Sequence, residues 1–313
     1  MNSTTADDPS ATQDWRDLGP SLAKSVLGQS EVLDGIANAV DRQEWEMAPP
    51  RGSRAAFLFV GPTGVGKTET SLALAKALYG EGHFVRIDAS EFSQPESLTV
   101  ALGDGAGLKG RLATAYDKVP AGIWLFDEIE KGCSEFKDLL LQITDAGRLT
   151  VASGRVLDFT QIYIIATSNL GTREILEKPH LRFTSLENHV LTCLEAWLRP
   201  ELLARFESPF VFRPLDWDVQ KEIVRKRLDE LAAWHRERHE RQLTFDEAAI
   251  DHLIAVGFSR RYGARQLIRT IDRLVGNAIV QDLRIGRLGN GLLVPDGETL
   301  RVVFSQVAVC DTP

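Results

Sequence analysis

The sequence predicts an α/β fold, a mostly parallel sheet covered by helices on both faces, followed by a small, mainly helical subdomain that ends in a β element. Three observations carry this. Short apolar runs recur at residues 57–60, 84–87, 123–126 and 163–166 with helical stretches between them, and strands alternating with helices imply parallel pairing through crossovers. The runs at 57–60 and 123–126 are continuously apolar, as strands buried on both faces require. Beyond Pro214 the pattern turns helical: Val224, Leu228, Leu231 and Trp234 form one stripe, and Leu267, Ile268, Ile271, Leu274, Val275 and Ala278 another.

Taken in order, residues 1–14 are polar, lack the layout of a signal peptide and read as a disordered tail. Residues 22–40 read as helix, loop, helix around Gly28-Gln29-Ser30, and 47–53 as a Pro/Gly-containing linker. The apolar run 55–60 leads into Gly61-Pro62-Thr63-Gly64-Val65-Gly66-Lys67-Thr68, which fits G-x-x-x-x-G-K-[ST], the phosphate-binding P-loop. Glycines there let backbone N–H groups close around phosphates, Lys67 supplies a point charge, and the Thr68 hydroxyl can ligand Mg²⁺. Residues 68–79 follow with Leu72, Ala73, Ala75, Lys76 and Leu78 at helical spacing and Gly80 as a stop. Strand, glycine loop and helix is the context the motif needs.

Residues 123–128 form an apolar strand ending in two carboxylates. Asp127 would hold Mg²⁺ through its water shell and Glu128 would polarise the attacking water, the two functions ATP hydrolysis requires. Residues 163–169 also end in polar side chains, and Asn169 could hydrogen-bond a γ-phosphate or that water. Residues 210–212 offer one more strand, Pro214 a break, and 300–304 the closing β element. The expected boundaries are 1–14 for the tail, 15–213 for the large nucleotide-binding subdomain and 214–313 for the small one.

Composition narrows the function classes. The 313 residues suffice for a large α/β domain plus a smaller one. A formal charge of -8 argues against non-specific binding to a nucleic-acid backbone. The three cysteines, Cys133, Cys193 and Cys310, are widely spaced and odd in number, which suits a reducing compartment. No apolar run approaches the roughly 20 residues that span a bilayer, so the expected location is cytoplasmic, with no membrane partner. His235 and His239 stand four apart, but in a charged stretch that reads as a solvated helix surface, and the basic residues of 225–241 are balanced by neighbouring carboxylates.

Several ordered motifs together resemble one family. The P-loop, Leu125-Phe126-Asp127-Glu128-Ile129-Glu130-Lys131, Asp145-Ala146-Gly147-Arg148-Leu149-Thr150 and Thr167-Ser168-Asn169-Leu170-Gly171 look like the AAA+ module of the Clp unfoldases, and most like the second ATPase ring of ClpB-type disaggregases. The likeness extends to Leu198-Arg199-Pro200-Glu201-Leu202-Leu203-Ala204-Arg205-Phe206 and Arg260-Arg261-Tyr262-Gly263-Ala264-Arg265. It implies that Val26 and Leu27, with Gly28-Gln29, enclose adenine. It also implies that Asn169 stands at sensor 1, that Arg265 stands at sensor 2 of its own subunit, and that Arg205 is an arginine finger reaching a neighbour's site. ATP and Mg²⁺ are the implied cofactors, and a homo-oligomeric ring, in the family a hexamer, acting on a protein substrate is the implied assembly.

Two departures qualify this. Where the family carries an aromatic pore loop, Gly-Tyr-Val-Gly, the matching stretch is Leu102-Gly103-Asp104-Gly105-Ala106-Gly107-Leu108-Lys109-Gly110, shorter and without an aromatic side chain. Gly and Ala offer little gripping surface, with Leu108 a weak substitute. The sequence also shows no N-terminal substrate domain, no coiled-coil middle domain and no first ATPase ring. Nor does it carry, between Gly171 and Arg199, the Ile-Gly-Phe or Ile-Gly-Leu tripeptide that docks relatives on a ClpP-type protease. The leading expectation is a ring-forming ATPase that remodels a protein partner. The alternatives are a nucleotide-gated scaffold that regulates a partner without threading, and a DNA-associated AAA+ ATPase, which the acidic balance disfavours.

Overall fold

The computed structural model describes residues 17–45, 47, 52–177, 183–207, 209–284 and 290–304. The expected tail, most of the 47–53 linker and Cys310 lie outside the described residues. The chain divides into two compact units, residues 1–62 with 66–213, and residues 63–65 with 214–313.

The first unit is built on a five-stranded sheet of strands β1 (Ala55–Val60), β2 (Phe84–Asp88), β3 (Gly122–Asp127), β6 (Ile162–Ser168) and β7 (Phe210–Val211), in the order β2-β3-β6-β1-β7. All these pairings are parallel. β3 and β6 are buried at every residue, and β1 at all but its first. Both faces are covered, which explains their unbroken apolar character. On one face Leu58, Val60, Trp124 and Phe126 join Phe92 and Phe136, whose rings stack at 4.9 Å. On the other, Phe57 and Phe59 meet the edge of Phe210. Successive strand residues alternate faces, so each aromatic run feeds two layers at once.

Strands β4 (Arg148–Thr150), β5 (Val156–Asp158), β8 (Leu243–Phe245) and β9 (Gly291–Asp296) fall outside the sequence expectation, the first two of them in this unit. β4 and β5 form a small antiparallel hairpin. They are too short, at three residues each, to give a readable period. The expected 22–40 segment is helix Leu18–Ser25, a turn at Gly28, and helix Ser30–Glu44. Gln29, buried in that turn, clamps the chain after β7: its Nε2 donates to Arg213 O (2.9 Å) and its Oε1 accepts from Arg213 N (3.2 Å).

The second unit holds helices Trp217–His239, Glu247–Gly257 and Gly263–Arg284 and a sheet of β8 (Leu243–Phe245), β9 (Gly291–Asp296) and β10 (Thr299–Phe304) in the order β10-β9-β8. Leu267, Ile271, Leu274, Val275 and Ala278 are buried as the helical stripe requires. Val224 and Leu228 are buried too, but Trp234 is half exposed and packs on His235 and His239. At about 100° per residue Trp234 has rotated roughly 80° from Val224, off the core face. Among the described residues no helix is long and apolar enough to cross a membrane.

Candidate nucleotide site

The C-terminal ends of β1, β3 and β6 converge in the first unit, where β3 and β6 end in polar residues. β1 runs into the glycine loop. Gly61, Gly64 and Gly66 take φ of 153°, 74° and 110°, values that L side chains rarely adopt. A Cβ on Gly61 would stand 2.6 Å from Phe212 O, so the loop opens where only glycine fits. Gly66 is the left-handed N-cap of helix Lys67–Tyr79, and the N–H groups at a helix start favour an anion. Val26 packs at this point: a Cβ on Gly66 would meet its Cγ1 at 3.3 Å. Val26 is buried and Leu27 partly so. Pro62 and Val65 are buried, and Thr63 and Thr68 are partly exposed.

Lys67 is buried, at 8% exposure, on the first turn of that helix. Its ammonium donates to the carbonyl oxygens of Gly61 (2.5 Å) and Pro62 (2.8 Å) and to Asn169 Oδ1 (3.1 Å). A buried cation needs such partners. The hydrogen bond to Asn169 links the P-loop to the end of β6.

Asn169 then links Lys67 to the carboxylates of β3. Its Nδ2 donates to Glu128 Oε1 (3.0 Å) and to Glu130 Oε1 (3.4 Å), and its backbone N–H donates to Glu130 Oε1 (3.1 Å). The register pairing Phe126 with Ala166 brings Asp127 beside Thr167. The Thr167 hydroxyl, fully buried, donates to Asp127 Oδ1 and accepts the Glu128 N–H (3.0 Å). Arg86 on β2 donates to Asp127 Oδ2 (2.5 Å). Glu128 has left-handed backbone, φ 56° and ψ 52°, one of two described non-glycine residues with positive φ. Such strain persists where the surroundings over-determine it, and here the Thr167 hydrogen bond and the turn into Glu130 do so. Lys131 closes on Glu128 Oε2, and that hydrogen bond raises the Lys131 pKa. Three carboxylates, Asp127, Glu128 and Glu130, are thus balanced by Lys67, Arg86 and Lys131.

Of the residues singled out in the sequence, Val26, Gly61, Pro62, Gly66, Lys67, Asp127, Glu128 and Asn169 converge in the first unit. Arg205 does not. It follows the short helix Pro200–Leu203 and pairs with Asp145 (2.9 Å). Two residues on, Glu207 N donates to Ala56 O (2.9 Å), at the start of β1, whereas the P-loop lies past its end. Arg265 is exposed in the first turn of Gly263–Arg284, in the second unit. Sequence reasoning gave no role to Arg86, Glu130, Lys131 or Thr167. A signal existed for Arg86, a charge inside an apolar strand, and for Glu130, a third acid after a strand end.

The stretch matched to the pore loop forms a closed turn. Gly103 and Lys109 form an isolated antiparallel bridge, and Asp104 Oδ1 accepts from the N–H groups of Ala106 (2.8 Å) and Leu108 (2.9 Å). Those hydrogen bonds hold the Asp104 carboxyl below its usual range. Leu108 is 57% exposed, the large apolar side chain the turn presents.

A parallel sheet with a glycine loop after β1, a buried lysine and acidic residues ending β3, separated from β1 by β6, defines a P-loop nucleotide-binding ATPase fold. Family models agree in detail: the AAA domain (Cdc48 subfamily) matches residues 53–208, and the C-terminal D2-small domain of ClpB matches residues 215–294. The chain belongs to the AAA+ ATPases of the ClpB type. It is 36% identical over 286 residues to the chaperone protein ClpB 1 of Parasynechococcus marenigrum, covering 88% of this chain and 33% of the relative. It is 35% identical over 308 residues to ClpB 1 of Synechococcus elongatus, covering 96% and 35%. Among solved structures it resembles the S. cerevisiae Hsp104–ADP complex with a TM-score of 0.79 at 30% identity, covering 93% of this chain and 52% of that one. A closed-state Hsp104 structure with ATPγS and FITC-casein gives 0.80 at 28% identity, covering 92% and 51%. The chain therefore spans about a third of the length of these curated relatives.

Proposed function

We propose that this chain is the ATP-hydrolysing module of a ring-forming motor that remodels a protein partner. The observation that carries the reading is the continuous path from Lys67 through Asn169 to Glu128 at the ends of β1, β6 and β3. Backbone N–H groups of Gly64, Val65 and Gly66 and the Lys67 ammonium would hold the phosphates, and Val26 and Leu27 would cover the base. Thr68 and Asp127 suit Mg²⁺, Asp127 through water, since both are hard oxygen donors. Nucleoside triphosphate brings the phosphoryl group whose transfer to water releases ADP and phosphate. Glu128 would orient that water, Asn169 would hold Glu128 in line, and Arg265 would touch the γ-phosphate as sensor 2.

The site is incomplete without a second copy. Arg205 is tied to the opposite end of β1 from its own P-loop, which supports a finger acting on a neighbouring subunit. That requirement favours a ring, and the family's ring is a hexamer. The ADP, ATPγS and casein named for the Hsp104 structures make nucleotide and an unfolded polypeptide the first ligands to try. ATPase activity that rises with protein concentration and collapses in Arg205→Ala tests the reading; full activity of dilute Arg205→Ala sinks it.

The Leu102–Gly110 turn favours a second reading for the output. A self-satisfied turn with one exposed leucine offers a weak grip, which suits a scaffold whose nucleotide-driven assembly regulates a partner without threading. A ClpP-type protease, a membrane and nucleic acid are not part of either reading.

A further inference from the structure

We propose that Glu130 is a positioning residue for hydrolysis, acting through Asn169. This rests on the reading of Asn169 and Glu128 as parts of the site. Glu130 Oε1 is the one acceptor that takes both Asn169 donors, the backbone N–H at 3.1 Å and Nδ2 at 3.4 Å. Its other oxygen, Oε2, is buried with no hydrogen-bond donor among the described residues. A carboxylate rarely stays buried with one oxygen unpaired unless its geometry serves something else. Here that is Asn169, the residue after β6, whose side chain must face Lys67 and Glu128 together.

The division of the Asn169 amide explains the need. Nδ2 has two hydrogens, one directed at Glu128 and one at Glu130, while Oδ1 accepts from Lys67. Glu128 is also held by Lys131. For Glu128 to orient water it must turn from these partners. If Glu128 were the sole anchor of Nδ2, Asn169 would swing with it and its contact to Lys67 would loosen. Glu130 has no such second duty. It keeps the amide and the backbone of Asn169 fixed while Glu128 moves, so the sensor and the water-orienting carboxylate become mechanically independent.

The test is steady-state and single-turnover ATPase of Glu130→Ala, Glu130→Gln, Asn169→Ala and the double variant, with nucleotide affinity measured directly. Glu130→Gln keeps the accepting oxygen, so it should retain hydrolysis within about twofold. Glu130→Ala loses charge-assisted hydrogen bonds and should lower kcat about tenfold with KM and nucleotide affinity unchanged. Adding Glu130→Ala to Asn169→Ala should cost nothing further, since residues acting as a unit are non-additive. A Glu130→Ala rate equal to wild type, a loss in Glu130→Gln as deep as in Glu130→Ala, or full additivity with Asn169→Ala overturns the proposal. Wild-type hydrolysis in Asn169→Ala would overturn the site reading beneath it, which separates the two failures.

Discussion

Arg205→Ala should abolish hydrolysis in the assembled protein while leaving each subunit's own nucleotide site intact. The chain after Arg205 joins β1 at Ala56, where Glu207 N donates to Ala56 O. The P-loop begins five residues further along, about 16 Å at the rise of a strand. An extended arginine side chain reaches about 7 Å and the two residues from Glu207 back to Arg205 add at most about 7 Å, together less than that separation. Its guanidinium also points to Asp145 instead. A finger in trans carries about 10³–10⁵ of the rate, equivalent to about 4–7 kcal/mol of transition-state stabilisation. The informative assay is complementation. Lys67→Ala lacks the cation that the loop carbonyls and Asn169 hold, so it should fail to bind nucleotide. Arg205→Ala should bind but not hydrolyse. Mixed, a Lys67→Ala subunit supplies a finger to an Arg205→Ala neighbour, and ATPase should reappear in proportion to mixed contacts. A silent mixture whose co-assembly is verified refutes the reasoning, as does normal turnover by Arg205→Ala alone.

Other outcomes follow from the same geometry. Glu128→Gln should bind nucleotide with near wild-type affinity yet hydrolyse about 10²–10⁴-fold more slowly; loss of binding in a calorimetric titration would show that the two carboxylates have been given the wrong roles. Leu108→Ala should leave basal ATPase unchanged, because the closed turn is held by Asp104 and the backbone; if it abolishes remodelling of a protein partner while ATPase persists, Leu108 grips substrate and threading becomes the better account. Glu44→Ala should lower stability by about 2 kcal/mol, read by denaturant unfolding, because it strips Arg54 of two hydrogen bonds (3.0 and 2.6 Å) and the buried Tyr163 hydroxyl of its acceptor. Burial raises the Glu44 pKa, but the hydrogen bonds from Arg54 and Tyr163 and the Arg54 charge outweigh it, and the net direction is down from 4.5. A carboxylate depressed in the folded state stabilises above its unfolded pKa. The Glu44 contribution should thus be complete above about pH 5 and fade as pH falls below 4.5 through the folded value, a dependence absent from Glu44→Ala.

Features confined to consecutive residues were legible in the sequence. The P-loop announced itself because φ-permissive glycines, a lysine and a threonine must follow one another within a single turn. The strands did so because burial on both faces demands unbroken apolar runs, and the apolar 123–126 run ending in Asp127 and Glu128 located the acidic residues. The helical stripe of 267–278 matched its buried face except at Ile268, which is only partly buried, whereas Trp234 slipped off the 224–231 stripe through the drift of the helical period. The tertiary structure alone decided which strand ends meet. The order β2-β3-β6-β1-β7 sets β6 between β1 and β3, so Asn169 touches Lys67 from 102 residues away and Glu128 from 41. The same register gives Thr167 to Asp127, Arg86 to Asp127 and Glu130 to Asn169, partnerships across about 40 residues that leave no local pattern. It also sends Arg205 to the wrong end of β1 for its own site. Local chemistry fixes which groups the chain owns; sheet register, a long-range property, fixes which of them share a site.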